Sequence, residues 1–216
     1  MKKDPKVKLI LTGMLSLLLV AGAGAQGVAG ELQTSVVEPV TGIAFPSEVR
    51  FSQDGEDHTL RLTGIAARTK WFFRVYAIAH YLEIPRGAGS LRVRDLLVDG
   101  PAKQLTIQYA RNVPAEKIIR VLREDFELNT TPSEYREIEP LVEQMLGYFV
   151  RPVNKGDVFV MRWISGGRVY LELNGQKLGD ARSELFARTL WAIWFGDHSV
   201  VDSQALMASV VRKEGA

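Results

Sequence analysis

The chain has 216 residues, 46% of them hydrophobic, with 27 Lys and Arg against 25 Asp and Glu and no cysteine. The missing cysteine excludes disulfides, thiol catalysis, thiolate metal sites and a lipidated cysteine, so stability rests on packing. Residues 1–25 hold four lysines and one aspartate, which leaves 23 basic and 24 acidic residues beyond them, and so near-neutral a remainder gives little electrostatic basis for binding nucleic acid or an anionic membrane surface.

Lys2, Lys3, Lys6 and Lys8, an apolar run over 9–20 and Ala23-Gly24-Ala25 predict a secretory signal peptide over 1–25, cleaved before Gln26. An apolar stretch this short is poor at spanning about 30 Å of hydrocarbon, which favours cleavage over an uncleaved anchor. No later segment is long and apolar enough for a transmembrane span, so the mature chain is expected in the periplasm or fully secreted. Residues 26–38 read as a flexible lead, with the first ordered element near Val40, and 39–216 as one domain of a size that buries a single core.

Residues 43–51, with Phe45-Pro46 inside them, read as a short strand and turn, and Asp54-Gly55 as a hairpin turn before a strand over 59–63. A glycine-started turn at Gly64 then carries Arg68 into a long strand over 70–84, closed by Pro85, Gly87 and Gly89. Period two places Phe72, Arg74, Tyr76, Ile78 and His80 on one face of that strand and Trp71, Phe73, Val75, Ala77, Ala79 and Tyr81 on the other. Bulky groups on both faces mark a central strand covered on each side. Residues 104–110 alternate as Leu105, Ile107 and Tyr109 against Gln104, Thr106 and Gln108, the pattern of a half-solvated antiparallel strand.

Pro114 opens a helix whose apolar face is Ala115, Ile118, Ile119, Leu122 and Phe126. Thr131-Pro132-Ser133-Glu134 is a capping box before a second helix bearing Ile138, Leu141, Met145 and Phe149, which Pro140 is expected to bend or split. Gly166-Gly167 and Asn174-Gly175 separate alternating runs over 158–164, 169–173 and 176–178, a three-stranded meander. A helix over 181–195, stopped by Gly196, turns Leu185, Phe186, Thr189, Leu190, Ile193 and Trp194 inward, and Ser203 is expected to cap a last helix with Leu206, Met207, Val210 and Val211. Strands lead and helices cluster after them, so the fold class is α+β, an antiparallel sheet with helices on one face.

The stretches at 64–68 and 75–82 and the sequence LWAIWFGDHS at 190–199 resemble the chalcone isomerase superfamily, with its GxGxR-like turn, its VYAxGxYL-like strand and its G-[DE]-H loop. The resemblance implies an open-faced β-sandwich with a ligand cleft between a large antiparallel sheet and a layer of helices. In the plant fatty-acid-binding branch an arginine of the glycine turn and a tyrosine of the next strand hold the ligand carboxylate, and they match Arg68 and Tyr76. True chalcone isomerases instead use a threonine where Tyr76 stands, a tyrosine and an asparagine where Lys117 and Glu124 stand, and a threonine where Ile193 stands. Only the arginine is kept, and loss of one preorganised donor alone costs on the order of a hundredfold.

Arg68 and Tyr76 are also the chemically best pair, because a guanidinium forks onto a carboxylate and a phenol adds one directed hydrogen bond. Phe72 and Ile78 beside them offer an apolar wall, and Lys117 and Ile193 complete the expected ligand-binding set. The competing structural reading has Arg68 bridging backbone carbonyls and Tyr76 as a core aromatic with a satisfied hydroxyl. Asp197-His198-Ser199 holds the residue types of a hydrolase triad, but adjacent loop residues cannot aim at one another. His58, His80 and His198 are too scattered for a metal site, with His80 a hydrogen-bonded core or rim group, and no Walker or dinucleotide glycine pattern calls for a nucleotide cofactor. Trp71, Trp163, Trp191 and Trp194 fall on apolar faces, where core packing is their expected role, with lining of the cleft the alternative for Trp191 and Trp194, three apart on one helix.

The expected function is that of an exported, non-catalytic binding protein for a small amphipathic carboxylate such as a fatty acid, with no catalytic residues, metal, cofactor or nucleic acid. An intramolecular lyase or isomerase and an envelope interaction protein with a filled cleft are the alternatives.

Overall fold

The computed structural model describes residues 34–84 and 91–210. The predicted signal peptide, the lead up to residue 33, the turn residues Pro85, Gly87 and Gly89, and Val211 lie outside the described residues. Strands β1 (Ser35–Val37) and β2 (Ala44–Pro46) pair with each other. A seven-stranded sheet follows as an unbroken antiparallel meander: β3 (Glu48–Gln53), β4 (Glu56–Lys70), β5 (Phe73–Leu82), β6 (Lys103–Tyr109), β7 (Val158–Ile164), β8 (Arg168–Leu173) and β9 (Gln176–Arg182). Helices α1 (Ala115–Leu128) and α2 (Pro132–Leu146) sit in the β6–β7 connection, and α3 (Glu184–Phe195) follows β9.

The sheet divides two apolar clusters. On one face Ile78, Leu82, Leu105, Ile107, Phe159 and Met161 pack with Phe126, Ile138, Met145, Phe186, Leu190 and Trp191 of the three helices. On the other, Phe45 of β2 closes a smaller cluster over Leu60, Ala77, Ala79 and Tyr81. This is the α+β architecture read from the sequence, with helices on one face and β5 covered on both.

Several elements lie where turn chemistry puts them. Asp54 and Gly55 both have positive φ, 54° and 83°, as the two-residue β3–β4 hairpin requires. Thr131 and Glu134 form the capping box, with Thr131 N donating to Glu134 Oε2 at 2.8 Å and Glu134 N to Thr131 Oγ1 at 3.3 Å. The meander after Val158 is also present.

Other expectations are corrected. Order begins at β1, ahead of Val40, because Val36 and Val37 find partners in Phe45 and Ala44. Gly64 is no turn but an interior residue of β4, at a bulge between Leu62 and Gly64. The strand expected over 70–84 is the end of β4, a two-residue turn at Trp71 and Phe72, and β5. Strand β6 is not half-solvated: it lies between β5 and β7, Gln104 is buried, and Gln104 Nε2 donates to Thr106 Oγ1 at 2.9 Å while its oxygen accepts from Arg162 Nε at 2.9 Å. A polar stripe satisfied by its own partners mimics a wet face in sequence.

Helix α2 runs through Pro140 unsplit, since buried Ile138 and, beyond the proline, Val142 and Met145 anchor both sides. Ala181 and Arg182 belong to β9, and Ser183 caps α3 by accepting from Phe186 N at 3.2 Å. The expected last helix is a single 3-10 turn at Ala205–Met207, capped by Asp202 rather than Ser203: its Oδ1 accepts from Gln204 N at 3.0 Å and Ala205 N at 3.1 Å.

That turn is stitched to β4. Thr63 Oγ1 donates to Leu206 O at 2.7 Å, Ser209 N donates to Thr63 O at 2.9 Å, and a Cβ on Gly64 would fall 2.0 Å from Ala205 O. Glycine is therefore required by close backbone approach. Gly64→Ala is expected to lower stability by about 1–3 kcal/mol, the usual cost of overpacking, read as a lower urea midpoint at unchanged slope; an unchanged midpoint would show that the 205–207 turn moves away freely.

Candidate functional site

The β4–β5 pairing builds the site. Its register sets Arg68 opposite Tyr76, and the β5–β6 register sets Tyr76 opposite Tyr109, so the three form one cross-strand row. Between Arg68/Tyr76 and Thr69/Arg74 the register shifts, leaving Val75 as an extra residue on β5. A bulge of this kind turns consecutive residues to one side. Tyr76 and Val75 accordingly both line one cavity, and Phe73 lines it too.

The cavity has a volume of about 300 Å³ and lies between the sheet and the helices. From β6 and β7 it takes Ile107, Tyr109 and Phe159, and from α3 Trp194. Helix α1 contributes Lys117, Ile118, Val121, Leu122 and Asp125, spaced so that one face turns inward. Its charged lining is Arg68, Lys70, Arg111 and Lys117 against a single carboxylate, Asp125. Apolar walls interrupted by a limited set of charged groups describe a small-molecule site, although the volume is at the lower end of the roughly 300–1,000 Å³ that such sites span.

Arg68 is half-buried, and its Nη1 donates to Val200 O on the segment after α3. The four other N–H donors of a guanidinium remain, and no carboxylate of the described residues is in ion-pair contact with it. Tyr76 accepts a hydrogen bond from Trp194 Nε1 at 3.0 Å, and its ring meets Tyr109 edge-on with centroids 6.1 Å apart. Because the indole N–H can only donate, the phenolic proton is left to point elsewhere. Burial pushes the Tyr76 pKa up to about 12, with Trp194 and the Arg68 charge acting against the rise. Tyr76 thus stays a neutral donor.

Asp125 lines the same cavity as Arg68 and feels its charge. Burial raises its pKa to about 6, against the pull of Arg68 and, more weakly, Lys70, and with a further push from Glu124. Near neutrality it is mostly ionised and already partly compensates the cations, so an entering anion meets both an attraction and a competitor.

Among the six residues expected at the site, the structure gathers Arg68, Tyr76 and Lys117 around the cavity. Phe72 is 98% exposed at the tip of the β4–β5 hairpin, outside the cavity, because the bulge reverses the period-two assignment. Ile78 and Ile193 are fully buried in the main cluster and do not line it. Trp194, beside Ile193 on α3, and Asp125 on α1 line it as well. The α1 spacing of four from Lys117 through Val121 to Asp125 was the available signal. On α3 the spacing of Trp191 and Trp194 was the signal, but a helix buried nearly all round does not show which of the two lines the cavity. Lys70, Arg111 and Val200 come from a strand end and two loops, where no periodicity applies.

The remaining candidates are structural. His80 is buried, its Nδ1 2.6 Å from Thr63 Oγ1 and its ring edge-on to Phe195 at 4.8 Å; burial, helped by Lys103, lowers its pKa to about 3, so it is neutral. Ser199 Oγ lies 2.7 Å from Trp194 O and 2.8 Å from Val201 O, tying the loop after α3 to itself rather than to His198. Trp163, Trp191 and Trp194 are buried as expected, but Trp71 is 85% exposed. Among the described residues no three His, Asp or Glu side chains form a group that could hold a metal, and no helix is long and apolar enough to cross a membrane.

A family model described as chalcone isomerase-like matches residues 37–206. The crystal structure of a fatty-acid binding protein from Arabidopsis thaliana superposes with a TM-score of 0.65 at 16% identity, covering 82% of this chain and 96% of that one. At that identity the likeness is one of fold. No curated protein matches the sequence significantly.

The raised Asp125 pKa has a definite sign. Its folded value, about 6, stands above the ordinary 3.8, so the folded state holds the proton more tightly and this group's contribution to stability falls as pH rises from about 4 to about 6. Asp125→Asn should therefore match the wild type near pH 3.5 and exceed it at pH 7, by about 1 kcal/mol or about 2–4 °C in melting midpoint once solvent screening is allowed for. Thermal melts of both proteins across that range check it; parallel curves would mean that Asp125 is not strained in the fold.

Proposed function

The chain belongs to the chalcone isomerase-like family, and from that premise we propose that it is a non-catalytic carrier of a small amphipathic carboxylate, most plainly a fatty acid, whose headgroup meets Arg68 and Tyr76. The carrying observation is the cross-strand pair of a guanidinium without an ion-pair partner among the described residues and a neutral phenol with a free proton, both lining a cavity whose other walls are largely apolar. A carboxylate accepts from both: the planar fork fixes its orientation, and the phenol adds a directed bond. Lys70, Arg111 and Lys117 add long-range attraction. The alkyl body would lie along Ile107, Leu122 and Phe159. The fold shared with a fatty-acid binding protein supports the same reading.

An isomerase of the chalcone type has weaker support. Tyr76 and Lys117 line the cavity where that chemistry uses a threonine and a tyrosine, and Glu124 and Ile193, which stand for its asparagine and second threonine, do not line it, so the donors that polarise a ketone and orient water differ. A cavity of about 300 Å³ also favours a ligand over a cleft filled by the protein's own side chains. Export of the mature chain from Gln26, in periplasm or medium, completes the proposal and rests on residues 1–25 alone.

The test is titration of the delipidated chain from Gln26 with a long-chain fatty acid, with Arg68→Gln and Leu122→Trp beside the wild type and circular dichroism to confirm folding. Losing a charged hydrogen bond worth about 1.5–3 kcal/mol should weaken binding about tenfold to a hundredfold in Arg68→Gln. Filling the cavity in Leu122→Trp should abolish it. Equal affinity of wild type and Arg68→Gln would remove the carboxylate clamp, and binding by Leu122→Trp would place the ligand elsewhere.

A further inference from the structure

The tip of the β4–β5 hairpin exposes three consecutive aromatics: Trp71 at 85%, Phe72 at 98% and Phe73 at 59%. Trp71 sits at φ 59°, the first central position of a two-residue turn, where glycine is favoured and a bulky side chain is strained. Turn stability alone would not select Trp-Phe here, and an exposed apolar cluster of this kind marks an interaction site.

Charge surrounds the tip. Lys70 ends β4, Arg74 follows Phe73, and both are exposed, as are Arg111 and Lys117 at the cavity. The Arg111 guanidinium stands 4.5 Å over the Phe73 ring. Trp71 and Phe73 themselves line the cavity, so the tip and the mouth are contiguous. A protruding pair of aromatics ringed by cations suits a bilayer interface, where Trp prefers the headgroup level and each Lys or Arg gains from anionic lipid. It suits a protein partner less well: three aromatics bury about 150–250 Å² each, short of the about 800 Å² per side of a stable complex.

We infer that the Trp71-Phe72-Phe73 hairpin tip, with Lys70, Arg74 and Arg111, docks the protein on anionic lipid bilayers and brings the cavity mouth to the membrane surface. Phe72 enters the acyl boundary while the cations remain with the headgroups. The chain is near neutral outside residues 1–25, so the attraction is local and is screened by salt. Docking stands whether or not the cavity holds a carboxylate.

The experiment is co-sedimentation of the chain from Gln26, whose described core lies wholly within 34–210, with vesicles of phosphatidylcholine alone or mixed with phosphatidylglycerol. Tryptophan emission is recorded in parallel, since Trp71 is exposed while Trp163, Trp191 and Trp194 are buried. Wild type should sediment with the mixed vesicles and shift its emission to the blue, whereas Phe72→Asp should lose about tenfold or more in partitioning while remaining folded. Trp71→Phe should keep sedimenting but lose the blue shift. Indifference of the wild type to phosphatidylglycerol, or equal partitioning of Phe72→Asp, overturns the inference. So does a wild type that ignores vesicles but forms a dimer abolished by Phe72→Asp, which would make the tip a contact between copies. Fatty-acid uptake without vesicles is read on the same samples, so failure of the cavity and failure of docking are separate results.

Discussion

The register between β4 and β5 governs everything at the cavity end of the molecule. One extra residue, Val75, between the Arg68/Tyr76 and Thr69/Arg74 pairs determines that Phe73, Val75 and Tyr76 share a side and that Phe72 leaves it. Because side chains alternate with period two, a shift of one reverses every residue beyond it. The same bulge therefore makes the cavity wall and frees the aromatic tip. Near the middle of β4 a second irregularity, between Leu62 and Gly64, receives the 205–207 turn. Both irregularities in the β4–β5 pairing thus accommodate something other than sheet.

Helix α3 supplies the reference surface against which that strand pair is held. Its Trp194 indole donates to Tyr76, and its Trp191 packs edge-on to Trp163 with centroids 5.4 Å apart. The residues just beyond it continue the connection, since Val200 accepts from Arg68. Arg68 and Tyr76 are therefore oriented by one helix and its trailing loop, although they sit on two strands. A side chain held by one fixed bond keeps its other donors aimed at little entropic cost, which is what a binding pair requires.

Much of the fold was legible because it follows from short-range chemistry. Asp54-Gly55, the Thr131 to Glu134 box and the turns at Gly166-Gly167 and Asn174-Gly175 each demand a local geometry whatever the rest of the chain does. The misses share a cause, which is that tertiary partners overrode local pattern. Gln104 and Thr106 looked solvated because the sequence cannot show Arg162 reaching across from β7. Trp71 looked like core because aromatics usually are, and only the turn geometry reveals its exposure. Arg68 and Tyr76 were visible by chemical type, whereas their direct opposition depended on a bulge that no periodicity announces. Ile193, expected at the site, lies one residue from the lining Trp194, and a helix rotation of 100° per residue makes that a different face.

Net charge misleads most at this site. A chain that is almost neutral beyond residue 25 places Arg68, Lys70, Arg111 and Lys117 around one opening with Asp125 as their only carboxylate counterweight in the lining. At physiological ionic strength charges interact over about 8 Å, so a ligand or surface at that opening responds to this group rather than to the total. Asp125 sets how strongly it responds. Protonation of a carboxyl whose pKa burial has raised to about 6 removes the one compensating charge and leaves the cationic group unopposed. The local positive field therefore strengthens as pH falls through that value, while the Tyr76 donor, neutral throughout, is unchanged.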